Sequence, residues 1–366
     1  DLSQVLFIFS YNHRQNIDRI VIDRIQEIDI EPLSNQEKLI ISKNYILPQI
    51  YKDIGFHDNE IDVDNSLINS VINEYTHEAG VRKLNEIMYD LLREINLKKI
   101  YGNIIQNPFN IDKHFIDEVM SNKPKLTIKK INDKPRVGLV NGLYATASGL
   151  GGITVIQAKK LISEKKFGLE KLTGSQGDVM KESMDCAFTL ASNLLNEEDR
   201  SKYESSDAKF GVHIHCPEAA TPKDGPSAGL AITTCLTSLL LKIPIKNDVA
   251  MTGEVDLDGT AREIGGLYSK IQGALNAGVK TVLIPKANEK DLDVIFRKEE
   301  NEKNNIKKST SIKKMDSYLL LENKCWKLEN NRRIFRNQLE IIIVEDIFDI
   351  LKHALVENDY KFNHDL

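Results

Sequence analysis

A serine and a lysine stand out for what their surroundings would let them do. In Thr221-Pro222-Lys223-Asp224-Gly225-Pro226-Ser227-Ala228-Gly229 the chain passes from turn-forming residues into an apolar helical run, Leu230-Ala231-Ile232-Thr233-Thr234-Cys235-Leu236. Pro226 suits the first helical position, where its missing N–H costs nothing, so Ser227 is expected in the first turn of a buried helix. Free N–H groups and the positive end of the helix dipole can there stabilise an alkoxide or a tetrahedral oxyanion. Gly225 would let a substrate approach the backbone closely. A serine beside an ordinary helix start looks the same, so the motif needs a base. His213 and His215 alternate on a short strand upstream, but no Gly-x-Ser-x-Gly elbow is present. The other candidate is Lys270, in Gly265-Gly266-Leu267-Tyr268-Ser269-Lys270-Ile271-Gln272-Gly273-Ala274, where it shares an apolar helix face with Leu267 and Ala274. Burial strips an ammonium of its hydration, lowers its pKa and lets it serve as a neutral general base. A lysine on such a face can also reach past it to water, so position alone does not choose.

The elements that must hold these residues are legible from pattern. The chain has 366 residues with 49 Lys+Arg against 54 Asp+Glu, a formal charge of −5, which excludes a generally basic nucleic-acid binder. Apolar residues make up 41% and charged residues 28%, enough for buried cores, and the length suggests two to three domains. No stretch approaches the roughly 20 apolar residues that cross a bilayer, and the start carries no signal-peptide pattern. The chain reads as soluble and as a piece of something longer. Cys186, Cys216, Cys235 and Cys325 form no Cys-x-x-Cys pair, so neither a metal site nor a disulfide framework is expected, and a reducing compartment is.

Val5-Leu6-Phe7-Ile8-Phe9 reads as a buried parallel strand, the tail of an α/β unit over residues 1–33. Residues 34–120 have helical periodicity. A capping box at Ser34-Asn35-Gln36-Glu37 opens this span, and Val81, Leu84, Ile87, Met88, Leu91 and Ile95 mark an amphipathic helix flanked by Arg82 and Arg93. Residues 121–135, polar and Lys-rich, read as a linker. Residues 136–358 alternate strands and helices, which predicts a mixed α/β domain: a hairpin over 137–157, strands at 211–215, 281–285 and 341–344, and helices at about 177–195, 226–241, 266–277 and 346–356. Within it, 297–338 is Asn/Lys/Glu-rich without a period and reads as a partly ordered surface insertion rather than a core element.

The run Pro222-Lys223-Asp224-Gly225-Pro226-Ser227-Ala228-Gly229 resembles the nucleophile motif of Lon-type ATP-dependent serine proteases. Lys270 follows 43 residues later in the Gly265-Gly266-Leu267 context where that family keeps its catalytic lysine. Met251-Thr252-Gly253-Glu254 and Thr281-Val282-Leu283-Ile284-Pro285 are similar to the family's pattern as well. The resemblance implies a serine-type endopeptidase, endopeptidase La-like, that degrades unfolded or damaged proteins through a Ser-Lys dyad. Ser227 would be the nucleophile and Lys270 the general base, then acid. Thr252 would match the hydroxyl that positions the amine, and Asp224 the acidic residue that can hold the site closed when inactive. His215 and Glu218 would match supporting positions. No metal is implied at this site.

The resemblance extends to the N-terminal half. Residues 5–12 resemble the sensor-1 strand of an AAA+ α/β core, with Asn12 at the position that feels the γ-phosphate. Ile22-Asp23-Arg24 resembles the arginine-finger segment, and His77-Glu78-Ala79-Gly80-Val81-Arg82 the sensor-2 motif of the α-helical lid. These three residues, Asn12, Arg24 and Arg82, would touch ATP with Mg2+; an arginine finger acts across a subunit interface, which implies a ring, and the resemblance to a family that forms hexamers implies a homohexamer. A cytoplasmic or organelle-matrix location follows from the family, with no membrane partner and no support for nucleic acid. The chain departs from the family in three places. No Gly-x-x-x-x-Gly-Lys-Ser/Thr loop occurs, so it cannot hold Mg-ATP by itself. Thr146-Ala147-Ser148-Gly149-Leu150-Gly151-Gly152 replaces a Thr-x-x-Gly-Gly signature, and Ala219 stands where a glycine is common. Two alternatives stay open: a catalytically silent assembly or regulatory subunit of a protease ring, and a peptidase acting on small or unfolded chains without ATP.

Overall fold

The computed structural model describes residues 3–366 except 12–16, 29, 31, 58–59, 77, 103–108, 124, 126–128, 147–148, 164–166, 206–209, 218–223, 298–331, 337 and 365. Residues 5–9 do not form the strand that their composition predicts. They lie in irregular backbone with Leu6 83% and Ile8 85% exposed, because no strand among the described residues runs beside them to complete a ladder. A four-residue helix, α1 (Arg19–Ile22), follows with nothing buried.

The helical part begins at α2 (Asn35–Ile41). Ser34 Oγ accepts from Glu37 N at 3.2 Å while the Glu37 carboxylate accepts from Ser34 N at 2.7 Å, the reciprocal cap expected from the sequence. The helix runs through a π turn (Ser42–Ile46) into α3 (Leu47–Ile54), ended by Gly55 in the left-handed conformation. After the short strand β1 (Ile61–Asp62) come α4 (Asn65–Tyr75), capped by Asp64, and the long α5 (Arg82–Ile100). Strand β2 (Phe109–Asn110) pairs with β1, and α6 (Lys113–Val119) is capped by Asp112. The stripe predicted on α5 is the one that is buried: Leu84, Ile87, Met88, Leu91 and Ile95 meet Ile50, Ile68 and Phe115 in one core. The segment that follows is tied at both ends. Lys125 pairs with Asp117 at 2.6 Å, and Ile131 N donates to Ala277 O at 3.2 Å.

The rest is a mixed α/β unit on an eight-stranded sheet. Strands β3 (Leu139–Ala145) and β4 (Gly151–Ile162) form the expected hairpin, and β5 (Gly168–Thr173) precedes α7 (Asp178–Asn193) and α8 (Glu197–Glu204). Then come β6 (Phe210–His215), a 3-10 turn (Pro226–Ala228), α9 (Gly229–Leu241), β7 (Val249–Met251), β8 (Glu254–Val255), β9 (Ala261–Arg262), α10 (Leu267–Ala277) and β10 (Thr281–Pro285). A helix over residues 289–297, α11, leads to β11 (Arg332–Phe335), β12 (Leu339–Val344) and α12 (Ile347–Ala354). The sheet order is β11-β12-β10-β7-β3-β4-β6-β5, with β12, β10, β7 and β3 parallel and β4 antiparallel to both neighbours.

Alternation sorts its side chains onto two faces. On β12, Ile342 and Val344 join a core with α7, α9 and α12, whereas Ile341 and Ile343 join one with α10 and α11. Helix α9 is buried on every side, and its hydroxyls are satisfied locally: Thr233 and Thr234 donate to carbonyls four residues back at 2.9 and 2.8 Å.

The sequence reading of 297–338 needs correction at its end. Residues Arg332–Phe335 are an edge strand, with Phe335 buried against Phe296 and Arg333 bonded to Glu289 at 2.8 Å and to Asp293 at 2.5 Å. Two inward positions, one of them an arginine, are too few to register as an apolar period. Residues 298–331 lie outside the described residues.

Candidate active site

Ser227 sits in the middle of the 3-10 turn that leads into α9, so the expected helix start opens with a tighter turn. Gly225, at φ 113°, supplies the positive-φ conformation that turns the chain into it. The turn is fastened to the β7–β8 connection: Ser227 O accepts from Gly253 N at 2.8 Å, and Leu230 N donates to Gly253 O at 3.1 Å. A side chain at Gly253 would begin 2.2 Å from Leu230 Cδ1, so glycine is what lets these backbones meet. Behind the turn, Ser183 Oγ of α7 reaches Pro226 O at 3.4 Å.

Lys270 is the fourth residue of α10, whose start Gly266 makes possible by taking a left-handed conformation (φ 68°). The lysine is 3% exposed. Burial strips water from its amine and draws the pKa down from 10.5 to about 8. The amine does not snorkel. It donates to Thr252 Oγ1 at 3.1 Å, and Thr252, fully buried, donates in turn to Ser227 O at 3.2 Å. Three residues from three separate elements are thus joined by two hydrogen bonds in a water-poor interior.

The other candidates lie elsewhere. Asp224 is exposed, and its Oδ1 accepts from Gly225 N at 2.9 Å and from Met180 N at 3.0 Å. It therefore caps α7, whose own N-cap is Gly177, from 44 residues away. A Cβ at Gly177 would fall 2.3 Å from the Asp224 carboxylate carbon. His215 Nδ1 shares Thr173 Oγ1 with His213 Nε2, at 2.7 and 2.8 Å, so both imidazoles are engaged on β5. Burial, with Lys171 and His215 nearby, lowers the His213 pKa. Asn12 and Glu218 lie outside the described residues. Arg24 is exposed, and Arg82 projects into solvent, 94% exposed, with Glu86 at 3.7 Å. The loop before Arg82 is firmly held: Glu78 caps α5 through Lys83 N and Leu84 N at 2.9 and 2.8 Å, and the buried Lys38 donates to Glu78 O.

Sequence reasoning missed Gly253, Ser183, Thr173 and Ser269. A glycine beside a buried hydroxyl in Thr252-Gly253 was the available signal for the first; the others are small polar residues whose partners lie 40 or more residues away. Among the described residues no group of three or more His, Cys, Asp or Glu could hold a metal ion, and no helix is long and apolar enough to cross a membrane.

Comparison with known proteins meets this geometry. Residues 110–322 match the model of the Lon protease (S16) C-terminal proteolytic domain, and residues 52–106 that of the Lon protease AAA+ ATPase lid domain. The Lon protease homolog of Acanthamoeba polyphaga mimivirus is 36% identical over 358 residues, covering 81% of this chain and 34% of that protein. The Lon protease of Campylobacter jejuni subsp. jejuni is 40% identical, covering 80% of this chain and 37% of its own. That of Acinetobacter baumannii is 35% identical, covering 87% and 37%. The chain spans about a third of the length of these relatives. The proteolytic-domain match takes in Ser227, Thr252 and Lys270 together, and the helical core before it contains the lid match, so the chain belongs to the Lon protease family.

Proposed function

We propose that this chain is the peptide-cleaving part of an ATP-dependent serine endopeptidase, working by a Ser227–Lys270 dyad. The observation that carries the reading is the buried Lys270 amine held on Thr252, which is itself bonded to the Ser227 backbone. Near and above pH 8 that amine is substantially neutral and can take the Ser227 hydroxyl proton. Ser227 Oγ then attacks the scissile carbonyl carbon, giving a tetrahedral oxyanion and an ammonium on Lys270. The ammonium returns the proton to the leaving amine as the C–N bond breaks, which leaves an acyl ester on Ser227. Water, deprotonated by the same amine, attacks the ester; the acid product leaves and Ser227 regains its proton. Thr252 serves as the positioning hydroxyl. Asp224 holds the nucleophile turn against α7, and His215, with His213, pins β6 to β5 ahead of that turn.

The nucleotide belongs to the whole protein. With Arg82 in solvent, Arg24 exposed and no Walker loop in the sequence, the residues present do not make an ATP site by themselves, and no step is derived through one. In the assembled enzyme, ATP with Mg2+ would be sensed by Asn12, Arg24 and Arg82, in a homohexameric ring that feeds unfolded or damaged proteins to the dyad in the cytoplasm.

The test is cleavage of fluorescently labelled casein by this chain, with and without ATP, beside Ser227→Ala and Lys270→Ala. Cleavage without ATP that both substitutions abolish is the expected result. Wild-type cleavage that survives both would overturn the dyad, and an inert wild type in a folded oligomer would favour the silent subunit.

A further inference from the structure

Lys270 depends on a helix start that has no cap of its own. The N-cap of α10 is Gly266, which offers no side chain, and the first helical hydrogen bond is Lys270 N to Gly266 O at 3.1 Å. An uncapped first turn leaves N–H groups unsatisfied and frays readily. Yet this turn must hold the Lys270 amine on Thr252.

The residue before the lysine ties that turn to a partner outside the helix. Ser269 Oγ donates to Gly149 O at 2.7 Å, in the turn that joins β3 to β4, 120 residues away. The acceptor is itself fixed. Thr146 N donates to Leu150 O at 2.7 Å, Gly149 N to Thr146 O at 2.9 Å, and Leu150 N to Thr146 Oγ1 at 3.2 Å. On its other side Gly149 meets Pro32, so close that a Cβ there would lie 1.9 Å from the Pro32 ring. The start of β4 then runs in backbone contact with α10 for a full turn: a Cβ on Gly151 would fall 1.9 Å from Ser269 O, and one on Gly273 2.2 Å from Gly152 N. Close packing sets the distance between strand and helix, and the Ser269 hydroxyl supplies a directional bond at the end that carries Lys270.

We propose that Ser269 is a positioning residue for Lys270, locking the first turn of α10 onto Gly149 so that the amine stays on Thr252. It touches no reacting atom, and its effect passes through the lysine. The inference rests on the Ser227–Lys270 reading, and its test separates the two.

The full chain is prepared as Ser269→Ala, Ser269→Cys and Ser269→Thr, beside Ser227→Ala and Lys270→Ala. Two quantities are read: kcat and KM on a short fluorogenic peptide, and the rate at which a small fluorophosphonate labels Ser227, which needs an activated serine but no substrate groove. Ser269→Ala is expected to lower both kcat and the labelling rate about tenfold with KM unchanged, since small misplacements of a catalytic group are costly. Ser269→Thr, which keeps the donor, should recover most of the loss. Ser269→Cys keeps the shape with a weak donor and carries the alanine expectation should the alanine variant not fold. Labelling of Ser269→Ala and Ser269→Cys at the wild-type rate, or a rise confined to KM, would overturn the proposal, the latter by placing Ser269 in the groove wall alone. If Lys270→Ala also labels at the wild-type rate, the dyad itself is wrong.

Discussion

At the scale of single residues, the proposed dyad turns on a lysine stripped of water. Lys270 has a pKa near 8 in the fold and 10.5 when unfolded. Between those values the unfolded chain holds the proton and the folded one does not, so this group's contribution to stability rises with pH across that window. Below it, the buried ammonium opposes folding. Lys270→Met should therefore abolish cleavage and yet stabilise the fold at pH 7, by up to about 3 kcal/mol, seen as a higher Tm. Thr252→Ala removes the acceptor that aims the amine; a fall in kcat of roughly 10- to 100-fold is expected, with Thr252→Ser close to wild type. Ser227→Ala should cost at least about a thousandfold in kcat without changing Tm, and the double variant with Lys270→Ala little more, because the two act as a unit.

At the scale of elements, helix starts and backbone approaches hold the site together. Asp224 caps α7 from a distant loop, so Asp224→Ala should destabilise by about 1 kcal/mol in a urea titration, and Asp224→Asn, which keeps an acceptor, by less. Gly149→Ala places a side chain at φ 75° and against Pro32, and both effects predict a loss of stability at that turn. Much of this level was legible in the sequence. The Ser34 cap, the α5 stripe, the hairpin and α9 follow from patterns that repeat over several residues, and the candidate dyad of Ser227 and Lys270 follows from the resemblance of their two motifs to the family's. What was not legible depends on distant partners: β5 and β11 have no clean alternation, and the Asp224 cap and the Ser269 bond join segments 44 and 120 residues apart. Residues 5–9 show the converse, since an apolar run becomes a strand only where another strand pairs with it.

At the scale of the molecule, the described residues fold around a helical core and the two faces of one sheet, joined through a tethered segment. Leu6, Ile8, Ile28 and Ile30, each more than four-fifths exposed, lie outside those cores. Phe335, at the far sheet edge, behaves oppositely: it is 1% exposed, and Phe335→Ala should cost about 3–5 kcal/mol despite lying next to a low-complexity stretch.

The central claim is that Lys270, unprotonated, activates Ser227, and the pH dependence of fluorophosphonate labelling tests it most directly. The account expects a rate that rises with pH through a single limb near 8 and a Lys270→Ala variant whose labelling is slow at every pH. A limb below about 7 that survives Lys270→Ala would contradict it and turn attention to an imidazole.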